Sequence, residues 1–411
     1  MEHCRFCQTP LKESFVSLGA SPLANSYIPI GKELLPERFF SLHAKLCDQC
    51  FLVQLPELEK SSDIFTNYAY YSSFSDSWLA HCRQYVDMII EKSFVQKTSS
   101  IVEIASNDGY LLQFFRGKGY NVLGIEPAEN VAQEAIEKRN INTLMAFFSE
   151  ETAKAVVQKQ GKADLLIANN VLAHVPDISD FVTGLSILLA EEGVVTIEFP
   201  HLLQLIRENQ FDTIYHEHFS YLSLYTVRRI FDKHGLQVFD VETLPTHGGS
   251  LRIYAQQKAT GKYPESERLH NLLAKEMQEG ITSIETYRAF ETKVKKCKRD
   301  ILTYFIAQKE KGLKICAYGA PAKGNTLLNY CGIGTDFIDF TVDKNPHKHH
   351  TLLPGSRLPV YDVSKIVDEE PDIIVILPWN LKAEIISQLK DICSWQPLYV
   401  TLIPRVEETR G

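Results

Sequence analysis

The sequence contains no apolar run long enough to cross a membrane, although 45% of its 411 residues are hydrophobic. It also lacks an excess of basic residues, because 43 lysines and arginines face 51 aspartates and glutamates, and the net charge is −8. A general binder of nucleic-acid backbone needs a basic surface. We find no secretory leader and expect a cytoplasmic protein that binds neither membranes nor nucleic acid. The oligomeric state stays open, and a monomer is compatible with the sequence.

The length and the order of patterns predict several domains, because a chain of this size exceeds one ordinary hydrophobic core. We expect a zinc-binding module over 1–60 and an α/β core over 61–262, in which 61–97 is a helical lead-in. A helical linker over 263–312 and a second α/β domain over 313–411 follow.

Strand patterns alternate with helical patterns in the central part of the chain. The strand patterns are SIVEIA, NVLGIEP, DLLIANN, VVTIEFP, LQVFDVETL and SLRIYAQQ. Such alternation predicts a parallel, doubly wound sheet, and the short final connection predicts an antiparallel hairpin at its edge. A smaller set, KICAYGA, DFIDFTVD, DIIVIL and LYVTLI, predicts a second sheet of the same class after Leu313.

Two pairs of cysteines, Cys4-x-x-Cys7 and Cys47-x-x-Cys50, have the spacing of a tetrahedral thiolate site for zinc. Disulfide bonds within this set are the alternative, which a cytoplasmic location disfavours. The other five cysteines are scattered and are expected to be free thiols: Cys82, Cys297, Cys316, Cys331 and Cys393.

The segment VEIASNDGYLL ends a strand and begins a helix, where ligands bind at the carboxyl edge of such sheets. The small Ala105 and Gly109 allow a ligand to approach the backbone. Glu126, about twenty residues beyond the turn, is placed to accept hydrogen bonds from ribose hydroxyls. NAD and S-adenosylmethionine both fit this pattern. Ala105 and Asn107 replace two glycines of the dinucleotide fingerprint, and the polar side chains of Asn107 and Asp108 favour the sulfonium amino acid.

Further residues of the predicted cofactor site follow the neighbouring strands. They are Pro127 in GIEP and Asn169 and Asn170 at the end of DLLIANN. His174 comes shortly after and is either a structural histidine or a substrate contact.

The segment FDTIYHEHFSYLS places Tyr215, His216, Glu217, His218 and Tyr221 within seven residues. A histidine can take a proton near neutral pH, a carboxylate can orient it, and a phenol can donate to an oxyanion. The alternatives are a structural loop and a metal site formed by His-x-His.

In THGGSLRIYA, His247 and Gly248 precede a strand. They either contact a substrate carbonyl or diphosphate, or form a plain hairpin turn.

The ordered motifs CxxC…CxxC, YYSSFSDSW, EIASNDGYLL, GIEP, NNVLAHVPD, YHEHFSY, HGGSLR, YGAPAKGNTLL and VDKNPHK resemble one family over nearly the whole chain. The sequence is similar to the zinc-containing, S-adenosylmethionine-dependent C-methyltransferases of nucleotide-linked deoxysugars. The resemblance implies an α/β fold with a class I methyltransferase sheet, an N-terminal zinc module and a C-terminal Rossmann-like domain. It also implies methylation of carbon 3 of a dTDP-4-keto-deoxyhexose.

The resemblance assigns roles to particular residues. His218 is the expected base, supported by Tyr215 and Glu217. The family's tyrosine near the methyl donor falls in YAYYSS, where Tyr70 is expected near the cofactor and Tyr71 near the substrate. Where the family has a glycine-containing connection directly after VDKNPHK, this chain has HHTLLPG.

The expected substrate-binding set of the C-terminal domain is Lys323, Asn325, Asp343, Lys344 and Lys348. Lys323 lies at a strand–helix turn that suits an anion. Lys344 and Lys348 add positive charge or are simple surface lysines. A 4-keto group acidifies the hydrogen on carbon 3, so His218 can remove it. The alternatives are O- or N-methylation of a small metabolite, modification of nucleic acid and a non-catalytic sugar-nucleotide sensor.

Overall fold

The computed structural model describes residues 2–59 and 71–410. Its strands and α-helices are numbered here in chain order. The strands are β1 Glu13–Ser21, β2 Ile28–Pro29, β3 Phe40–Leu46, β4 Val53–Gln54, β5 Ser100–Ile104, β6 Asn121–Ile125, β7 Thr143–Leu144, β8 Ala163–Ile167, β9 Leu189–Pro200, β10 Ser220–Tyr221, β11 Leu236–Leu244, β12 Ser250–Gln257, β13 Ile315–Tyr318, β14 Thr341–Val342, β15 Thr351–Leu352, β16 Pro359–Tyr361, β17 Ile373–Ile376, β18 Leu398–Thr401 and β19 Glu407–Arg410.

The helices follow the predicted amphipathic patterns. They are α1 Asp76–Glu91, α2 Leu112–Gly117, α3 Glu129–Arg139, α4 Glu150–Gln160, α5 Ile178–Leu188, α6 Leu202–Arg207, α7 Leu224–Lys233, α8 Glu267–Gln278, α9 Ile284–Glu310, α10 Ala322–Cys331, α11 Ser364–Glu369 and α12 Lys382–Ile392. None of the described helices is both long and apolar enough to span a membrane.

The chain forms two compact units. The first comprises the described residues of Met1–Lys12, Cys47–Leu202 and His218–Thr282, and the second those of Glu13–Leu46, Leu203–Glu217 and Ser283–Gly411. Neither unit is one continuous segment. The predicted division at residues 60, 262 and 312 stays a prediction.

The first unit is built on a sheet with the strand order β11-β12-β9-β8-β5-β6-β7. Its strands are parallel except β12, which runs antiparallel to both β9 and β11. The doubly wound sheet and the antiparallel hairpin at its edge are therefore confirmed. Successive side chains of β5 face opposite sides, so Ile101 joins one apolar core and Val102 the other.

The second unit contains a parallel sheet in the order β18-β17-β13-β14-β16, which confirms the second α/β pattern. Antiparallel strands flank it, β19 on one side and β15 followed by β2 on the other. The β1–β3 hairpin packs in the same unit, where the Phe15 and Phe290 rings stack with centroids 4.6 Å apart.

Candidate active site

The four predicted metal ligands lie together in the first unit. Their sulfur atoms are all within 4.8 Å of one another. Cys4 Sγ is 3.5 Å from Cys50 Sγ, and Cys7 Sγ is 3.4 Å from Cys47 Sγ. A tetrahedron with zinc–sulfur bonds of about 2.3 Å places its sulfurs roughly 3.8 Å apart. The four thiols therefore fit zinc, and all nine cysteines are free of disulfide bonds.

Two matching turns build this cluster. The amide of Cys4 donates to Thr9 O at 2.8 Å, and the amide of Gln8 donates to Cys4 O at 2.9 Å. The second turn has the same two bonds: the amide of Cys47 donates to Leu52 O at 3.0 Å, and the amide of Phe51 donates to Cys47 O at 2.9 Å. Gln8 and Phe51 occupy the left-handed region, with φ of 63° and 60°. Hydrogen bonds from the Cys47 and Cys50 thiols hold the pKa of the Cys4 thiol far below its usual value.

The predicted cofactor turn follows β5. Ala105, Asn107 and Gly109 have φ of 55°, 47° and 76°, so the backbone turns sharply at the sheet edge. A Cβ on Gly109 would lie 3.1 Å from Ile141 Cγ1 and 3.3 Å from Ala135 Cβ. This glycine is therefore required by the packing against α3 as well as by its backbone conformation.

Glu126 lies at the end of β6 and is buried. Its Oε2 accepts the amide of Asn107 and its Oε1 accepts the amide of Ala128, both at 2.9 Å. Burial raises the pKa of Glu126, and these two hydrogen bonds oppose the rise. A carboxylate oxygen has two lone pairs, so both oxygens keep an acceptor site for a ribose hydroxyl.

Asn107 and Asp108 hold the segment that precedes α1. The amide of Ser72 donates to Asn107 Oδ1 at 2.9 Å, and the hydroxyl of Ser73 donates to Asp108 Oδ2 at 2.5 Å. Arg139 donates to Ser73 Oγ at 2.8 Å and lies 3.6 Å from Asp108 Oδ2. Sequence reasoning missed these contacts of Ser73 and Arg139 with Asp108, because two adjacent basic residues at the end of α3 are common and indicate no particular partner.

Several buried polar atoms at this edge have no hydrogen-bond partner among the described residues. They are Asp108 Oδ1, both polar side-chain atoms of Asn169 and Asn170 Oδ1. Burial raises the pKa of Glu103 well above its usual value. Buried polar atoms are normally satisfied, so this set fits a polar ligand. Glu103 was missed, although a carboxylate within the apolar run SIVEIA was a usable signal.

An apolar patch lies beside Glu126. The amide of Glu126 donates to Leu144 O at 3.0 Å, so β7 brings the residues after it to this edge. Leu144, Met145 and Phe147 expose 37%, 41% and 44% of their surfaces. Exposed apolar side chains of this kind offer a surface for a flat, apolar ligand group. Sequence reasoning did not single out these three residues.

The structure brings two predicted histidines together. His174 ends a 3₁₀ turn, Leu172–His174, after β8, and its ring centroid is 4.6 Å from that of His218. The ring of Tyr221 is 6.2 Å from that of His218. All three residues belong to the first unit, with the strands that carry the cofactor turn.

His247 forms a second group with Asn170 and Trp78. Its Nε2 is 3.4 Å from Asn170 Nδ2, and its ring is 5.6 Å from that of Trp78. The backbone of His247 is left-handed, with φ of 54°, and the following Gly248 has φ of 85°. Tyr71 lies beside α3, where Asn130 Nδ2 donates to its hydroxyl at 3.1 Å. Tyr70 lies outside the described residues.

The first part of YHEH belongs to the second unit. Glu217 is buried there, and Asn25 Nδ2 lies 2.8 and 2.9 Å from its two oxygens. Burial raises the pKa of Glu217 to about 7. His216 Nε2 is 3.3 Å from Ser41 O, and its ring meets Phe40 edge-on. Among the described residues, the side chains close enough together to hold a metal ion are the four cysteines. His216 and His218 do not form such a group, so the His-x-His metal site gains no support.

The predicted substrate residues of the second unit lie around β13 and β14. Lys323 Nζ donates to Asn380 Oδ1 at 2.8 Å and lies 4.6 Å from the centroid of the Trp379 ring. Asn325 Nδ2 donates to Ala24 O at 2.6 Å, and its buried Oδ1 has no partner among the described residues.

Asp343 Oδ2 accepts the amide of Ala320 at 2.7 Å and lies 3.6 Å from Lys348 Nζ. Lys348 also donates to Ala320 O at 2.8 Å. Lys344 is exposed. Lys323, Asp343 and Lys348 thus lie in a polar turn region, whereas Lys344 has the environment of a surface lysine.

Three family descriptions match the chain in order. They are "Putative zinc binding domain" over residues 4–65, "Methyltransferase domain" over residues 79–241 and "C-methyltransferase C-terminal domain" over residues 245–404. C-methyltransferase NovU of Streptomyces niveus is 34% identical over 404 residues, which are 98% of this chain and 96% of NovU. The chain belongs to this family of C-methyltransferases. The fold class expected from the sequence is confirmed.

Solved methyltransferases resemble part of this C-methyltransferase. Magnesium protoporphyrin IX methyltransferase ChlM of Synechocystis PCC 6803, with bound SAM, covers 44% of this chain and 81% of its own at 17% identity and a TM-score of 0.33. The CcbJ methyltransferase of Streptomyces caelestis covers 43% of this chain and 89% of its own at 12% identity and a TM-score of 0.34.

The C-methyltransferase uses S-adenosylmethionine and zinc as its cofactors. Family membership removes the alternatives of O- or N-methyl transfer and of a non-catalytic sensor.

Proposed function

We propose that the enzyme methylates carbon 3 of a dTDP-4-keto-deoxyhexose, with His218 as the base. The observation that supports this most directly is the contact between the His174 and His218 rings, 4.6 Å apart. His174 follows β8, the strand that also ends in Asn169 and Asn170. An imidazole is therefore held in the unit that carries the cofactor turn, where a proton must be removed.

The chain's own residues supply the proton chemistry. The hydrogen on carbon 3 is acidic because the neighbouring 4-keto group accepts the electron pair. His218 takes this proton on its imidazole, and the carbon–hydrogen electron pair becomes the nucleophile. When bound, S-adenosylmethionine supplies the methyl group that this carbon receives. General-base assistance of this kind typically contributes ~10²–10⁴-fold.

Tyr215 and Glu217 lie three residues and one residue before His218, and we propose that they assist the same proton transfer. With its pKa raised to about 7 by burial, Glu217 can hold or release a proton at neutral pH. His174 is proposed to orient the His218 ring. Tyr71, His247 and Gly248 are proposed to contact the substrate.

The nucleotide diphosphate is proposed to use the turn region after β13. Lys323 lies at the amino end of α10, which has no side-chain cap. Helix amides and an ammonium group together suit an anion. Lys348, Asn325 and Asp343 complete the proposed set.

For the cofactor, we propose that Glu126 accepts the ribose hydroxyls and that Ala105 and Gly109 keep the turn open. Pro127 follows Glu126 directly. Asn169, Asn170, Asn107 and Asp108 face the amino-acid end, and Met145 and Phe147 lie against the adenine. The contribution of Tyr70 stays a prediction.

The test is incubation with labelled methyl donor and a panel of dTDP-4-keto sugars, followed by mass analysis. We expect one methyl group on carbon 3, and hydrogen–deuterium exchange at that carbon in D₂O without methyl donor. Methyl transfer to another carbon would refute the assignment of carbon 3. Methyl transfer to an oxygen, without deuterium exchange at carbon, would refute the proposed enolate intermediate.

A further inference from the structure

Arg5 lies inside the first zinc-binding turn, between Cys4 and Cys7, and its side chain reaches residues distant in sequence. Nη1 donates to Pro176 O at 2.9 Å and to Val175 O at 3.4 Å, and Nη2 donates to Leu55 O. The guanidinium carbon lies 5.4 Å from the centroid of the Phe219 ring. Carbonyl oxygens bind the guanidinium directly, and the carboxylates of Glu57 and Asp177 interact with it electrostatically.

These contacts fall next to both members of the histidine pair. Val175 and Pro176 follow His174, and Phe219 follows His218. One planar group therefore touches both segments whose rings meet at 4.6 Å. Leu55 belongs to the same arrangement, because its amide donates to Phe219 O at 3.0 Å.

The metal end of Arg5 is fixed as well. Its amide donates to Gln54 Oε1 at 2.9 Å, and Gln54 Nε2 donates to Cys4 Sγ at 3.3 Å. Gln54 lies in β4, where it pairs with Ser220 of β10, two residues after His218. The backbone of Arg5 is thus set by the cysteine cluster, while its side chain is set by the histidine segments.

We propose that Arg5 is a positioning residue that ties the zinc site to the His174–His218 pair. This inference rests on the proposed role of His218 as the base. A displacement of a catalytic group by about 1 Å can cost up to ~10²-fold in rate. Zinc then has a role in catalysis without contacting the substrate, because it fixes the turn from which Arg5 extends.

The geometry requires arginine in particular. Its planar group offers several donors in a fixed fork, whereas lysine is a point charge on a flexible chain. A lysine ammonium cannot reproduce the forked hydrogen bonds to Leu55 O and Pro176 O together with the contact to the Phe219 ring. We therefore expect Arg5→Lys to resemble Arg5→Met, although it keeps the charge.

Arg229 provides a matched control. It lies 5.5 Å from the centroid of the Tyr225 ring and donates to Gln49 O, between Cys47 and Cys50, at 2.8 Å. It makes this one hydrogen bond at the exposed surface of the protein, so we expect its replacement to leave the cysteine cluster and the histidine segments in place. These contacts, to Gln49 and Tyr225, lie outside the segments that follow His174 and His218.

The experiment compares Arg5→Lys, Arg5→Met and Arg229→Met with the wild type. The readouts are zinc per chain, the S-adenosylmethionine dissociation constant, kcat and KM, and the imidazole NMR signals of His174 and His218. For the Arg5 variants we expect unchanged zinc, cofactor affinity within about twofold, a ~10-fold lower kcat with little change in KM, and shifted or broadened signals of both histidines. Arg229→Met is expected to match the wild type.

Several results would overturn the proposal: loss of zinc from Arg5→Lys, unchanged histidine signals, or kcat within twofold of the wild type. Failure of the base assignment shows up separately. If His218→Asn keeps its turnover, His218 is not the base, yet the NMR signals still report whether Arg5 positions the two rings.

Discussion

At the scale of single residues, Glu217 makes the sharpest prediction. Its pKa is raised by burial from 4.5 to about 7, and Asn25 only partly opposes this. In the unfolded chain the carboxyl ionises near its ordinary pKa, so the folded state binds more protons between about pH 4.5 and 7. The free energy of unfolding therefore falls as the pH rises through this window. Glu217→Gln has no carboxyl to ionise at this position, so it should lack this pH-dependent fall in the free energy of unfolding.

Urea unfolding at pH 5 and pH 8 measures the effect. We expect the wild type to lose up to roughly 3 kcal/mol more than Glu217→Gln between these values. Burial also raises the pKa of Asp212, to about 6, but Asp212 contributes equally to the pH dependence of unfolding in both proteins. Glu137→Gln, an exposed change of the same charge, serves as the control. Equal pH dependence in the wild type and Glu217→Gln would contradict the prediction.

His218 carries the second residue-scale prediction. We expect His218→Asn to lower kcat by at least about a hundredfold, because it removes the proposed proton acceptor while keeping a polar side chain. Binding of S-adenosylmethionine, measured by calorimetry, should stay within a few-fold of the wild type. His270→Asn alters an exposed histidine that bonds to Glu265 and is the control. Turnover of His218→Asn within a few-fold of the wild type would remove the base assignment.

Some residue roles were beyond sequence reasoning for a physical reason. Spacing placed Asn107, Asp108 and Glu126 at the sheet edge, because strands and helices alternate with a regular period. It did not reveal that the Ser72 amide bonds to Asn107, or that Ser73 and Arg139 engage Asp108. Such partners come from distant parts of the chain, and no local pattern encodes them.

At the scale of elements, two glycines around α2 separate the backbone effect of a glycine from its packing effect. Gly109 lies in the turn before α2 and Gly119 lies after α2. Gly109 and Gly119 have similar φ of 76° and 80°. A Cβ would be 3.1 Å from Ile141 Cγ1 at Gly109, whereas nothing lies within 4 Å of it at Gly119. Alanine at either position pays the cost of a left-handed backbone, about 1 kcal/mol. Gly109→Ala adds the packing cost and should lose about 2–3 kcal/mol.

Denaturant unfolding of both variants checks this, and calorimetry measures cofactor affinity. Gly109→Ala is expected to weaken binding of S-adenosylmethionine, since Asn107 and Asp108 move with the turn. Gly119→Ala, outside the turn, should bind as the wild type does. Equal destabilisation by the two variants would show that packing against Ile141 and Ala135 has no cost.

Elements were predictable where their hydrophobic period was strong. SIVEIA gave β5 and the apolar positions of ERLHNLLAKEMQ gave α8, because each buries one face or both faces in a core. The division into units was harder. The chain leaves the first unit after Lys12 and returns to it at Cys47. Between these points, β2 joins the edge of the sheet in the second unit. Pairing between strands so distant in sequence is set by tertiary packing, which periodicity does not report.

At the scale of the whole molecule, zinc ties together the two points where the chain leaves and re-enters the first unit. Cys4 and Cys7 precede the excursion through 13–46, and Cys47 and Cys50 follow it. A metal that joins the ends of a loop removes conformational entropy from the unfolded chain. The stability of the first unit should therefore depend on zinc, although the metal lies outside the proposed cofactor site.

Scanning calorimetry of Cys47→Ser tests this dependence. We expect less than one zinc per chain and a lower unfolding temperature, because one of four ligands is lost. Cys393→Ser makes the same chemical change at a half-buried cysteine outside the cluster and should keep its zinc.

S-adenosylmethionine at about a hundred times its dissociation constant should add about 2.7 kcal/mol to the free energy of unfolding of the wild type and of Cys393→Ser. In Cys47→Ser the same increment should appear on a lower baseline, because the proposed cofactor residues follow β5, β6 and β8 rather than the cysteine turns. A Cys47→Ser protein that unfolds at the wild-type temperature would show that zinc contributes nothing to the fold.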